Sequence, residues 1–268
     1  MAGEHGAVEY TIKCERQKQR AEERARLSLG ASAATHAGMV RSVNEDAVLD
    51  RGDIGLWAVA DGVGGAYAGD LASRHIIDSL GMIAAPATAS GFLGDVRRSL
   101  EDANRHLRAE PNAGGEDRVI ASTVVCLLFF GRRFCCVWAG DSRLYRLRAG
   151  TLEQITHDHS EVQLLLDYEL ISVAEARRHP RANVITRAVG AEDVLQLDAV
   201  DGTIEPGDAF LLCSDGLTKL VEDSEIGASL ARFSAADAVC HLIQTTLDRG
   251  APDNVSVAAI KIAPGPNG

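Results

Sequence analysis

The chain has 268 residues and a formal charge of −11, with 46% hydrophobic and 24% charged residues. Those proportions belong to a globular domain and exclude a disordered or fibrous chain. The acid excess repels phosphate backbones, which argues against nucleic acid as a partner, yet converging carboxylates would suit a hard cation.

Residues 1–30 read as a polar N-terminal extension. Its segment 13–26 carries six basic and three acidic residues without an apolar stripe, which fits a solvated helix or a disordered arm. No apolar core of a secretory signal is present there. From 31 to 263 strands and helices mix. Stretches at 54–60, 122–130, 133–139, 144–148, 195–200, 209–213 and 255–262 are apolar or β-branched, end at Gly, Asp or Asn, and predict strands. The longest apolar run, 124–130, is far below the about 20 residues of a membrane span. Helical spacing of Leu71, Ala72, Ile76, Leu80 and Ile83 predicts a helix over 66–83, and a weaker pattern covers 89–107. Ser172 with Glu175 caps a short helix, and Ser234 with Asp237 opens a longer one. The order is not a βαβ alternation, so an α+β layered fold is expected. The six cysteines form no C-x-x-C pair and mostly fall in strand-like runs, as buried reduced thiols of a cytoplasmic protein would.

A local design recurs along the chain. Apolar strands end in Asp61-Gly62, in Gly140-Asp141-Ser142-Arg143 and in Ser214-Asp215-Gly216, and Asp253-Asn254 precedes the last strand. One Asp-Gly pair is ordinary turn chemistry. Four such sites at core-strand ends could gather carboxylates on one rim, where a divalent cation would relieve their repulsion. Oxygen-only donors favour Mg²⁺ or Mn²⁺ over Zn²⁺. Two such ions about 3.5–4 Å apart can hold and acidify a water and aim it at phosphorus. Upstream lie Arg41, whose fork suits a phosphate, and Glu45 and Asp46, which could orient metal-bound waters.

At these residues the sequence resembles the metal-dependent protein serine/threonine phosphatases, the PPM or type 2C group, in their bacterial form. The resemblance rests on Arg41-x-x-Asn44-Glu45-Asp46, Ala60-Asp61-Gly62-Val63-Gly64-Gly65, Ala121-Ser122-Thr123, Ala139-Gly140-Asp141-Ser142-Arg143, Cys213-Ser214-Asp215-Gly216-Leu217 and Asp253-Asn254-Val255-Ser256. It implies a four-layer α-β-β-α sandwich over 31–263, with a flap at about 151–190. It also implies that Asp61 bridges two metal ions and the Gly62 carbonyl binds the first. Asp215 and Asp253 would bind the second, and Asp141 with Asp215 a weaker third. Glu45 would act through a metal-bound water, with Asp46 its companion, and Arg41 would hold the substrate phosphate.

The implied activity is hydrolysis of phosphoserine and phosphothreonine in proteins, opposing a bacterial serine/threonine kinase, by a cytoplasmic monomer. A catalytically silent interaction module and a hydrolase of small phosphorylated metabolites are the alternatives. Val63 stands where many eukaryotic relatives carry the His proposed as general acid. Within the flap, His157-Asp158-His159 is expected to be a hydrogen-bonding turn and 164–166 to pack the flap. P-loop, dinucleotide-binding, zincin and nucleophile-elbow motifs are absent.

Overall fold

The computed structural model describes residues 28–64, 68–110, 119–176 and 178–263. The arm expected at 13–26, Cys14, Gly65 and the start of the 66–83 helix lie outside them.

Two antiparallel sheets stack face to face. The first orders its strands β1–β11–β10–β7–β8, where β1 is Leu29–His36, β7 Arg143–Arg148, β8 Thr151–Gln154, β10 Ala209–Cys213 and β11 Val255–Ile262. The second orders β2–β3–β5–β6–β9, where β2 is Asp46–Arg51, β3 Leu56–Val63, β5 Val124–Phe130, β6 Arg133–Ala139 and β9 Asp198–Thr203. A short β4 (Ala121–Ser122) also pairs with β3. The central strands are apolar on both faces because each face is covered, and period two sorts the residues between them. Trp57 and Val59 of β3, Phe210 and Leu212 of β10, and Ala258 and Ile260 of β11 fill the space between the sheets. There Phe210 meets Phe129 and Phe134 edge-on, with ring centroids 5.3 and 5.2 Å apart.

The intervening residues face outward, under helices. Leu56, Ala58 and Ala60 pack against α1 (Ala68–Gly81) and α2 (Ala89–Ala109). Leu211, Cys213, Val257 and Ala259 pack against α5 (Asp215–Thr218), α6 (Asp223–Arg232) and α7 (Ala235–Asp248). The result is the expected helix–sheet–sheet–helix layering. Two further helices, α3 (Glu161–Asp167) and α4 (Val173–Ala176), lie in the flap segment.

The predicted caps are in place. Ser234 Oγ accepts from the Asp237 amide at 3.2 Å, and Glu175 Oε2 accepts from the Ser172 amide at 2.8 Å. Other expectations shift. Thr123 interrupts the 122–130 strand, dividing it into β4 and β5. The strand expected at 195–200 begins only at Asp198, because Leu195 and Leu197 turn toward the core beneath α1 and α2. Strands β1, β2 and β8 and helices α3, α5 and α6 are additions to the sequence reading. The five described cysteines are free: Cys126, Cys136 and Cys213 are buried, Cys135 is half-buried and Cys240 is exposed. In α3 no residue is fully buried: Leu164 is exposed, and Leu165 and Leu166 pack only partly.

Register brings the aspartates to one end. Cys213 pairs with Val257 on one side and Arg143 on the other, which aligns the chain just beyond β10, just before β11 and just before β7. In the second sheet Asp46 pairs with Asp61, and Gly62 with Ser122.

Candidate active site

These strand ends line a cavity of about 200 Å³, whose wall includes Arg41, Glu45, Asp61, Gly62, Asp141, Asp215, Lys219 and Asp253. Backbone contacts at or beside the acids position three of them. The Asp61 amide donates to Thr123 Oγ1 at 3.1 Å, and its carbonyl accepts from the Thr123 amide at 2.8 Å. Asp141 follows Gly140, whose φ of +110° and closeness to Thr123 leave no room for a side chain; an added Cβ would stand 2.5 Å from Thr123 Cβ. Asp215 opens α5. Its neighbour Gly216 presses on the carbonyl of Asn254, where an added Cβ would stand 1.8 Å away.

Asn254 ties the start of β11 to the loop that carries Arg41 and Glu45. Its Oδ1 accepts from the Glu45 amide at 2.9 Å, and its Nδ2 donates to the carbonyls of Ala37 and Val43 at 2.9 and 3.0 Å. The Glu45 carbonyl in turn accepts from the Gly62 amide at 3.1 Å. Asp46 does not line the cavity; it lies buried behind it, where its Oδ2 accepts from Ser214 Oγ at 2.8 Å.

Crowded, desolvated carboxylates hold their protons. Burial, then repulsion from Asp46, Asp215, Asp141 and Asp253, pushes Asp61 well above the ordinary carboxylate value. Burial lifts Asp46 to about 7, with Ser256 and Ser214 pulling the other way. Burial, joined by Asp215 and Asp158, lifts Asp141 to about 7. Asp215 is raised by burial, opposed by Lys219. Burial alone would lower the Lys219 ammonium, but Asp215 and Asp253 outweigh it and keep it above its usual value. Lys219 Nζ lies 2.6 Å from Asp215 Oδ2 and 3.3 Å from Asp253 Oδ2, and Arg41 Nη2 lies 3.0 Å from Asp253 Oδ1.

The donor set fits a hard divalent cation. Among the described residues the cavity wall carries neither His nor Cys. Glu45 Oε1 and Asp46 Oδ1 are buried carboxylate oxygens without a hydrogen-bond partner, the kind of group that a cation or its waters would satisfy. In this side-chain arrangement no three His, Cys, Asp or Glu groups among the described residues close on one point; Asp215 and Asp253 instead share Lys219.

Flap residues Asn183 and Ile185 complete the wall. The 157–159 triplet is hydrogen-bonded as expected, but it runs as irregular chain between β8 and α3 rather than as a turn. His157 pairs with Asp167 at 2.8 Å, and Asp158 takes a bidentate bond from Arg143 at 3.0 and 2.7 Å. His159 Nδ1 accepts the Gly140 amide at 3.2 Å, so its proton sits on Nε2, 3.1 Å from Asp198. Sequence reasoning did not single out Lys219, Thr123, Asn183 or Asn254 as individual residues. For Lys219 the available signal was its spacing of four from Asp215 on a helix.

A family model described as protein phosphatase 2C matches residues 34–255. The serine/threonine protein phosphatase PstP of Mycobacterium tuberculosis is 34% identical over 239 residues, which is 89% of this chain. This chain spans 46% of that curated relative's length. PppA, described as a key regulatory component of T6SS in Pseudomonas aeruginosa, superposes with a TM-score of 0.81 at 44% identity, covering 88% of this chain and 99% of PppA. The catalytic domain of PstP in complex with two manganese ions superposes with a TM-score of 0.79 at 34% identity, covering 89% of this chain and 100% of that domain. With the family model spanning most of its length, the chain belongs to the protein phosphatase 2C family.

Proposed function

We propose that this protein hydrolyses phosphoserine and phosphothreonine in protein substrates, with two Mn²⁺ or Mg²⁺ ions in its cavity. The observation that carries the reading is the convergence of Asp61, Asp141, Asp215, Asp253 and Arg41 on one cavity, in a chain similar to serine/threonine phosphatases. In this reading Asp61 and the Gly62 carbonyl would hold one ion, Asp61, Asp215 and Asp253 the other, and Asp141 with Asp215 a weaker third. Bound divalent ions supply an acidified water and neutralise phosphoryl charge.

The chain's own groups orient the reaction. The exposed fork of Arg41 presents N–H donors to the phosphate while Asp253 steadies it at 3.0 Å. Glu45 and Asp46 orient waters from behind the ligand set, through oxygens left without a partner. Val63 brings no proton donor; water in the cavity would then serve to protonate the leaving alcohol. Substrates would be phosphoproteins made by an opposing serine/threonine kinase, and the protein would act as a cytoplasmic signalling monomer; the likeness to PppA supports a regulatory role. No described helix is long and apolar enough to cross a membrane.

The test is phosphate release from a phosphothreonine peptide with Mn²⁺, against nucleotides and sugar phosphates as competitors. Asp215→Ala should abolish turnover while leaving the fold intact. A folded, Mn²⁺-loaded protein that releases no phosphate from the peptide would overturn the reading.

A further inference from the structure

Two cations line the cavity among the described residues, Arg41 and Lys219. They differ in setting. The Arg41 side chain is 50% exposed and pairs with Oδ1 of Asp253. The Lys219 side chain is 32% exposed and reaches between two acids, at 2.6 Å from Asp215 Oδ2 and 3.3 Å from Asp253 Oδ2. Lys219 is the C-cap residue of α5, one helical turn after Asp215, so the same short helix presents a carboxylate and the ammonium that neutralises it. Both oxygens of Asp253 are thereby engaged, Oδ1 by Arg41 and Oδ2 by Lys219.

We propose that Lys219 is a built-in counter-cation: in the metal-free protein its ammonium holds Asp215 and Asp253 together, and it leaves when a divalent ion takes both carboxylates. The inference rests on the reading of these two acids as metal ligands. An ammonium and a divalent ion on one pair of carboxylates repel each other strongly at such distances in a poorly solvated site. The flexible four-carbon stem lets the amine swing out to solvent without moving the helix. Lys219 therefore stabilises the empty cavity and weakens its hold on the second ion. Occupancy of the site then follows the free metal concentration rather than being saturated at all levels.

The test uses chelator-treated wild-type protein and Lys219→Met, which keeps an unbranched side chain and removes the charge. Mn²⁺ binding is measured by calorimetry, metal-free melting by circular dichroism, and amine exposure by lysine acylation read by mass spectrometry. Lys261, whose amine bonds to the Phe233 carbonyl, is the internal control. We expect Lys219→Met to bind Mn²⁺ about tenfold tighter and to melt a few degrees lower without metal. In wild type, Mn²⁺ should raise acylation of Lys219 several-fold and leave Lys261 unchanged. Wild type that binds Mn²⁺ with no change in Lys219 acylation, or a variant with equal or weaker Mn²⁺ affinity, overturns the proposal and leaves the metal reading standing. Absence of Mn²⁺ binding in both proteins overturns both. If Lys219→Met fails to fold, the acylation of wild type decides alone.

Discussion

Removing divalent ions with a chelator and raising the pH from 5 to 8 should weaken the metal-free fold. Burial holds Asp46 and Asp141 up to about 7, against an ordinary value of 3.8, and raises Asp61 and Asp215 too. Between those values the folded chain binds protons that the unfolded chain has already released, so stability falls as pH rises through the window. One carboxyl held near 7 costs about 1.4 kcal/mol per pH unit, or about 3 kcal/mol between pH 5 and 7. The acids share one cavity and ionise one after another, so the cluster as a whole should lose on the order of 3–6 kcal/mol. His75 and His159 act in the opposite sense, because burial lowers both and the unfolded chain takes up the proton first. Four raised carboxyls oppose these two imidazoles, so the slope stays downward. Ion-paired acids such as Glu225, held at about 2 mainly by Arg249, have finished ionising below pH 5. The assay is urea unfolding followed by circular dichroism at each pH unit, in chelator and in Mn²⁺. Mn²⁺ should flatten the slope by replacing the protons. A metal-free midpoint that is constant or rises from pH 5 to 8 would refute the reasoning.

Further perturbations address the Gly216–Asn254 contact, the core and the start of the flap. Gly216→Ala places a Cβ against the Asn254 carbonyl and should cost about 3 kcal/mol while pushing Asp215 and Asp253 apart; wild-type unfolding and Mn²⁺ affinity in the variant would contradict it. Phe210→Ala empties the centre of the inter-sheet cluster, where Phe210 is fully buried, and should cost about 3–5 kcal/mol in denaturant unfolding. Arg143→Lys keeps the charge but loses the fork on Asp158 and the bond to Tyr145 at 2.9 Å. It should cost about 1–3 kcal/mol and speed hydrogen exchange at 156–160; unchanged exchange there would count against it.

Much of this architecture is legible in the chain because its central strands are greasy on both faces. β3, β5, β10 and β11 stand out as apolar runs, and the acid at each strand end is visible beside its glycine or asparagine. Edge strands hide. β1 is built mainly from Gly, Ala, Ser and Thr and is never fully buried, and β8 alternates exposed and half-buried residues. Helix α6 escapes because its capping box uses Glu222 and Glu225 in place of a hydroxyl cap. Within the site, the aspartates are readable one at a time, but partners are not. Lys219 acquires its meaning from Asp253, 34 residues away, and Asn254 from carbonyls more than 200 positions earlier. Only the register of two stacked sheets brings those groups together.

The strand order carries a lesson about timing. Among the described strands β11 comes last, yet it inserts between β1, the first of them, and β10. During synthesis β1 must therefore wait, with its inner ladder unpaired, until β11 has left the ribosome more than 200 residues later. Asp253 cannot take its place in the cavity wall before then, so a chain still short of β11 has an incomplete site. That same delay leaves an open strand edge available to neighbouring chains, a hazard that slow translation or truncation before β11 would enlarge.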